Sequence, residues 1–316
     1  MFHPEVKSQK NEDICILIRV ENHSYNYICE CGEAKALTVK ECQNTKAIFI
    51  SHTHIDHFVN FDTILRHQIG SKQRVIICGP TDITQQVQSR IQSYRWNLIA
   101  EDAITYEIRE IQSDRTIKRA ELKPPFWEIT PLENLSQDAV YLNDLFEVEY
   151  TILDHKTDTI AYLFKGLDKT KIDLQKGGFK GGIWVKDLKN AFETNDPHCD
   201  IILEEKTYKA SDLFHLIEVK KGKKLGVIMD HAASPSNHKN ILTTFKNADQ
   251  VFIESFYKVE DKERAISNYH SYSSESGRIM KECQIKEAIP VHFSRKYDDL
   301  EIDELIKEFE SAYKGI

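Results

Sequence analysis

The chain has 316 residues, 41% of them hydrophobic and 29% charged, enough for a sizeable core and, on length alone, about two domains. No run approaches the roughly 20 apolar residues that cross a bilayer, and the opening MFHPEVKSQKNED has no apolar signal core, so the expected location is cytoplasmic. A formal net charge of −8 excludes a protein whose whole surface grips nucleic acid and leaves room for a local basic site.

In chain order, 13–20 (DICILIRV) and 25–31 (YNYICEC) read as β-runs joined by a polar hairpin turn at 21–24. The apolar run at 46–51 has the character of a buried strand and stops at a histidine cluster, after which 58–70 alternates at helical spacing. A strand at 75–78 ends on Gly79-Pro80, and 81–99 reads as a helix. Strand-like runs follow at 104–112, 126–133, 146–154 and 159–165, then a Lys/Gly-rich stretch, then a run at 200–204. From 225 onward strand and helix alternate: strands at 225–230, 250–255 and 288–293, helices at 236–247, 271–284 and 298–314. No repeat, low-complexity tract or long linker is visible. The pattern predicts a single α/β unit, two β-layers covered by helices. Seven cysteines, at 15, 29, 31, 42, 78, 199 and 283, are odd in number and lack a CxxC pair, which fits reduced thiols.

The chemistry concentrates at strand ends. Residues 52–57 read HTHIDH, and chance would produce His-x-His-x-Asp-His somewhere in such a chain about once in a thousand. In an extended stretch His52 and His54 point the same way and can clamp one ion, while Asp56 and His57 are placed for a second. Asp154-His155 ends FEVEYTILDH, Asp230 ends LGVIMD and His292 ends AIPVHF. Imidazole and carboxylate donors without cysteine suit zinc, with manganese as the alternative. Cys29-x-Cys31 reads as buried thiols, and His198-Cys199 lacks partners at metal spacing.

The succession HTHIDH, TILDHKTDTIAY, GVIMD and VHFSRKY, with CGEA at 31–34, FIESFY at 252–257 and NYHSYSSESGRIMKE at 268–282, resembles the metallo-β-lactamase superfamily, and within it the ribonuclease Z branch. The resemblance spans roughly residues 25–297. It implies an αββα sandwich. It further implies two zinc ions, one on His52, His54 and His155 and the other on Asp56, His57 and His292, with Asp230 bridging them. Asp56 would orient the nucleophile, and His270, held by Glu254, would protonate the leaving group. The implied reaction is phosphodiester hydrolysis, the implied assembly a homodimer, and the implied substrate a tRNA precursor cut at its 3′ end.

Members of that branch hold tRNA with a protruding flexible arm. Here 165–189, with seven Lys against three Asp and five of the twelve Gly, sits where the arm belongs, and residues 165–190 are the expected arm, with Lys180 and Trp184 as substrate contacts. Arg295 and Tyr297 match positions near the scissile phosphate, and His231, beside Asp230, could meet substrate or merely pack. The chain departs from the branch in four places. No strand with a Gly-rich loop is expected before Asp13, and the arm tip lacks its proline. DHKTDTIAY lacks a Pro-Ser, and MDHAAS stands for Gly-Asp-Thr. All four leave the ligands in place and bear on the substrate. Two other readings therefore stand beside the tRNA 3′-endonuclease: a phosphodiesterase of small or cyclic nucleotides on the same core, and a non-catalytic RNA-binding relative.

Overall fold

The computed structural model describes residues 1–135 and 139–316. These fall into two compact units, one made of 1–165 with 223–316 and the other of 166–222.

The larger unit opens with strands β1 (Phe2–Val6), β2 (Ile16–Val20) and β3 (Asn26–Cys29), then helix α1 (Val39–Gln43) and strand β4 (Thr45–Phe49). Helices α2 (Ile55–Phe58) and α3 (Phe61–Gln68) precede β5 (Arg74–Pro80) and α4 (Ile83–Gln92), and β6 (Thr105–Ile111), β7 (Ile117–Leu122) and β8 (Thr130–Leu135) follow. These eight strands form one sheet in sequential order, with β3 to β6 parallel and both flanks antiparallel. Two strands of this sheet were not anticipated. The sequence gives no reason to expect one before Asp13, yet β1 pairs antiparallel with β2; its residues are largely exposed, so the apolar alternation that marks a half-buried strand is missing. The same sheet gains β7 at 117–122, a segment to which the sequence assigns no element.

The second sheet begins with β9 (Tyr141–Leu142), β10 (Phe146–Asp154) and β11 (Asp158–Gly166). The chain then builds the smaller unit: β12 (Lys169–Ile172), α5 (Leu174–Gly177), α6 (Trp184–Glu193), β13 (Asp200–Leu203), β14 (Lys206–Lys209), α7 (Ala210–Leu213) and β15 (Ile217–Lys220). It returns through β16 (Lys224–Ile228), α8 (Pro235–Phe245), β17 (Gln250–Glu254), α9 (Lys262–Ser267), α10 (Ser273–Glu282), β18 (Glu287–Val291) and α11 (Asp299–Lys314). The order across this sheet is β18-β17-β16-β11-β10-β9, with β16, β17 and β18 parallel.

Alternation along the strands makes the layers. Ile16, Ile18, Ala47 and Phe49 of the first sheet meet Tyr162, Phe164, Val227 and Phe252 of the second in one buried cluster. Their neighbours Leu17 and Ile48 face outward, onto Phe61, Ile64, Val87 and Ile91 of α3 and α4. On the opposite side Ile228, Val251 and Ile253 pack against Ile241, Phe245, Ile279 and Phe309 of α8, α10 and α11. Period 2 in each strand against a helical stripe on each outer face gives the αββα order that the sequence predicts. Helix ends are set locally. Asp298 and Glu301 form a reciprocal capping box at the start of α11, and Ser234 caps α8, with Pro235 in its first turn. Gly277 lets α10 lie against α11, since a Cβ there would sit 2.3 Å from the Phe309 carbonyl oxygen.

All seven cysteines are free, and all but Cys199 are buried. Burial pushes the six enclosed thiols up, Cys42 to about 11 and Cys78 and Cys283 to about 12.

The smaller unit has a core of its own. Ile172, Trp184, Leu188, Ala191, Ile201, Leu203, Leu213 and Leu216 are enclosed together. β12 and β15 pair antiparallel at its base, where Asp168 accepts from Lys221 Nζ at 2.7 Å and from Gly222 N at 3.0 Å. β13 and β14 turn on Glu204 and Glu205, both at positive φ, as a two-residue hairpin loop requires. The expected insertion of 165–190 is thus only the first half of a folded unit that runs to Gly222. Over 190–222 four Lys face seven Asp and Glu, so the basic character belongs to the first half alone.

Candidate metal centre

The strand ends deliver side chains to one rim of the larger unit. Ligand atoms of His52, His54, His155 and Asp230 lie within 4.8 Å of one another, as do those of Asp56, His57 and His292, and those of Asp230, Glu254 and His270. Asp230 is the hub. Its Oδ2 is 3.7 Å from His52 Nε2, 3.5 Å from His57 Nε2 and 3.5 Å from His155 Nε2, and its Oδ1 is 2.9 Å from His292 Nδ1. Asp56 Oδ2 sits 3.5 Å from His292 Nε2 and 3.7 Å from His57 Nε2. His52, His57, His155 and Asp230 are buried, whereas His54 is exposed, so the cluster opens on one side.

The far side of three of the rings is fixed. His52 Nδ1 pairs with Ser51 Oγ at 3.1 Å, His57 Nδ1 with Glu30 Oε2 at 3.0 Å, and His155 Nδ1 with the Tyr269 carbonyl at 2.6 Å. One ring nitrogen held by an oxygen and the other aimed at a common point is the arrangement that orients metal-binding imidazoles. Asn237 braces the His155 segment, accepting from Asp154 N at 2.9 Å and donating to the carbonyls of Asp154 and Ala232, both at 2.9 Å.

Glu30 was not anticipated. It lies just after β3 at a φ of +66° and is fully enclosed; besides His57 it accepts from Ser51 N at 3.0 Å. The signal was its place inside CECGEA, a carboxylate between two cysteines at a strand end. His292 uses the same device, a φ of +56° just after β18. Left-handed backbone at a residue with a side chain costs about 1–3 kcal/mol and collects at functional sites.

The groups fit a pair of divalent cations. His52 Nε2, His57 Nε2, His292 Nδ1 and Asp230 Oδ1 are buried and have no hydrogen bond in acceptable geometry, a state that costs about 1–3 kcal/mol per group unless something satisfies it. Electrostatics follow the same hub. Burial alone would lower the His57 and His292 imidazoliums; Asp230 outweighs it and raises both, His292 to about 9. Burial and the neighbouring His57 hold His52 well below the usual histidine range. Burial would raise Asp230, yet His292 and His57 keep it well below the ordinary carboxylate value.

Beside the hub, Glu254 Oε1 accepts from His270 Nδ1, and its Oε2 accepts from His231 N at 3.0 Å and Ser271 N at 3.4 Å. Burial opposes ionisation of Glu254, but His270 brings its carboxyl down to about 2, and Glu254 in turn raises His270 against the effect of burial. His270 Nε2 is left as the ring atom able to meet a ligand.

The chain has relatives over most of its length. No family model matches. A protein named Ribonuclease Z from Borrelia garinii subsp. bavariensis is 27% identical over 311 residues, 94% of this chain and 85% of that one. Another of that name from Deinococcus radiodurans is 22% identical over 296 residues, 90% of this chain and 87% of the relative. In fold, human tRNase Z, short form, superposes with a TM-score of 0.57 at 14% identity, covering 90% of this chain and 87% of its own. The metallo-β-lactamase fold protein YhfI from Bacillus subtilis gives 0.55 at 16% identity, over 96% and 86%. The chain has the metallo-β-lactamase fold and is similar over most of its length to ribonuclease Z.

The ribonuclease Z-like centre has a cleft of about 730 Å³ at its mouth, lined among others by Asp13, Asp56, Phe256, His292 and Arg295. Arg295 is 60% exposed and paired with Asp13, which leaves it able to swing to a ligand. Two other expected contacts need correction. Tyr297 is enclosed, its hydroxyl bonded to Asp261 and accepting from Lys258 N at 3.1 Å, so it braces the segment after β17 instead of facing a phosphate. Trp184 lies in the core of the smaller unit, with Nε1 donating to the Lys180 carbonyl at 2.9 Å; an indole so enclosed offers no face to a nucleobase. Lys180 itself is exposed. His231 is fully buried, with Nδ1 donating to the Met229 carbonyl at 2.9 Å, and is a packing residue.

Proposed function

We propose that this metal-dependent hydrolase is an endoribonuclease that cuts tRNA precursors at their 3′ ends, with two zinc ions as its cofactors. The observation that carries the reading is the convergence of unpartnered imidazole nitrogens on Asp230 with the Glu254–His270 pair alongside. His52, His54 and His155 would hold one cation, Asp56, His57 and His292 the other, and Asp230 both. When bound, such a pair of cations makes water nucleophilic near neutral pH and offsets charge on the phosphoryl oxygens.

The remaining work falls to the chain. Asp56, held near His57 and His292 and partly open to the cleft, orients the attacking water. Glu254 fixes the Nδ1 end of His270 and favours the imidazolium, so that Nε2 presents a proton to the departing ribose oxygen. Arg295 meets the non-bridging oxygens as the Asp13 pair opens. The first half of the smaller unit, with Lys180 among its exposed lysines, attracts the RNA backbone. The relatives' names and the order of the motifs support this substrate over a cyclic nucleotide. Cytoplasmic residence and a homodimer belong to the same reading, the first supported by the unpaired cysteines and the second by the resemblance.

The test is cleavage of a precursor tRNA and of 3′,5′-cyclic AMP by chain dialysed against chelator, then given zinc or manganese. Site-specific cut at the tRNA 3′ side restored by metal is the expected result. Turnover of the cyclic nucleotide alone would replace this substrate with a small one, and no turnover of either would remove the enzyme reading. Light scattering reads the assembly.

A further inference from the structure

His270 is gripped at one end only. Glu254 holds Nδ1, and a ring fixed through one atom remains free to tip about that bond. What stops it is packing. The Phe256 ring lies flat on the imidazole, with centroids 3.9 Å apart and planes 8° from parallel. His155 and Tyr257 meet its edges, at centroid distances of 4.6 and 5.7 Å with planes inclined at 63° and 81°. Phe256 also leans on His292 at 5.2 Å. Its carbonyl accepts from Ser294 N at 3.0 Å, so the backbone beneath the ring is tied to the segment that carries His292. The ring is half-buried and forms part of the cleft wall.

We propose that Phe256 is the positioning residue of proton delivery: its face sets the tilt of the His270 ring, and thereby where Nε2 points. The inference rests on the assignment of His270 as proton donor. Glu254 sets the charge of the ring and Phe256 its plane. A tipped ring keeps its bond to Glu254 yet presents its proton along the wrong line, and a misplacement of about 1 Å costs on the order of 10²-fold in rate. The cost falls on the step that needs the proton. A ribose oxygen is a poor leaving group and depends on it; p-nitrophenolate leaves without help.

The experiment compares Phe256→Ala, Phe256→Leu and Phe256→Tyr in the whole metal-loaded chain, on a ribonucleotide phosphodiester and on bis-p-nitrophenyl phosphate. For Ala and Leu the expected result is a fall in kcat on the ribonucleotide of about 10- to 100-fold with little change in KM. The ratio of the two substrates' rates should shift at least about tenfold toward the activated ester. Tyr, which keeps the flat ring, restores both. Leu preserves apolar bulk, so an effect it shares with Ala is not a folding defect. A second reading needs no turnover: in the metal-free chain, the His270 ring-proton resonances, shifted by the stacked ring, move in the Ala and Leu variants and stay in Tyr. Equal loss on both esters, or a Leu variant equal to wild type, overturns the inference while the phosphodiesterase reading stands. Wild-type chain inert toward both esters overturns the two together.

Discussion

Replacing Glu30 with Gln isolates the contribution of a buried carboxylate to metal retention. In the native site its two oxygens accept from two different donors, His57 Nδ1 at 3.0 Å and Ser51 N at 3.0 Å. An amide has the same outline but one acceptor, so its NH₂ must face one of those donors. The loss of one enclosed hydrogen bond and the donor-to-donor contact together cost about 1–3 kcal/mol. Spent at His57, that energy corresponds to the 10- to 100-fold weakening of metal affinity, about 1.4 to 2.7 kcal/mol, typical of removing an orienting partner. The loss should be lopsided. His57 belongs to the group with Asp56 and His292, whereas His52 and His155 take their orientation from Ser51 Oγ and the Tyr269 carbonyl. Titration of the metal-free variant against a chromogenic chelator should therefore find one cation held as in wild type and the other weakened. Two cations retained at wild-type affinity would refute the role given to Glu30. Equal weakening of both would show that the two groups are not oriented independently.

Three further outcomes follow from the geometry. Against the effect of burial, Asp230 raises the folded-state pKa of both His57 and His292 above the ordinary histidine value, His292 to about 9, so His292 is protonated at pH 7 in the metal-free chain. Cation uptake needs neutral rings, so it should release protons, and affinity should climb from pH 7 to 9; calorimetry in buffers of different ionisation enthalpy counts them, and a count of zero would contradict the assignment. Asn237→Ala deletes three enclosed hydrogen bonds and should destabilise by about 3 kcal/mol in urea unfolding, with no change expected in the slope. Because Lys165 and Lys224 are register partners across β11 and β16, residues 166–222 can be replaced by a tight turn. That variant should keep hydrolysis of a small ester, within about threefold, and lose cleavage of precursor tRNA; loss of both would place the smaller unit inside the catalytic machinery.

The rim was legible in the sequence because each of its donors closes a recognisable apolar run. HTHIDH follows KAIFI, Asp230 follows LGVIM and His292 follows AIPV, and a strand that ends in a polar residue aims it without further information. Glu30 escaped because a single carboxylate carries no spacing to notice; only the fold shows that it lies under His57. β1 escaped because an edge strand with most of its side chains in water has no periodicity. The smaller unit was misjudged for another reason. Its first half is Lys- and Gly-rich, and the apolar residues that close its core are scattered from Ile172 to Leu216, brought together by the pairing of β12 with β15 and of β13 with β14. Trp184 read as an exposed tip for as long as its partners more than fifteen residues away went unseen. Tyr297 likewise sits in a motif beside the site while its hydroxyl serves Asp261.

A polypeptide that must collect a scarce cation on imidazole and carboxylate while carrying seven sulfur atoms risks competing with itself, since thiolate is the stronger trap. Here six of those sulfurs are walled in and hold their protons far above neutrality where burial acts on them. Sequestration of sulfur thus keeps loading chemically single-minded: the ion can be stripped and returned without being waylaid, and peroxide finds only Cys199 within easy reach.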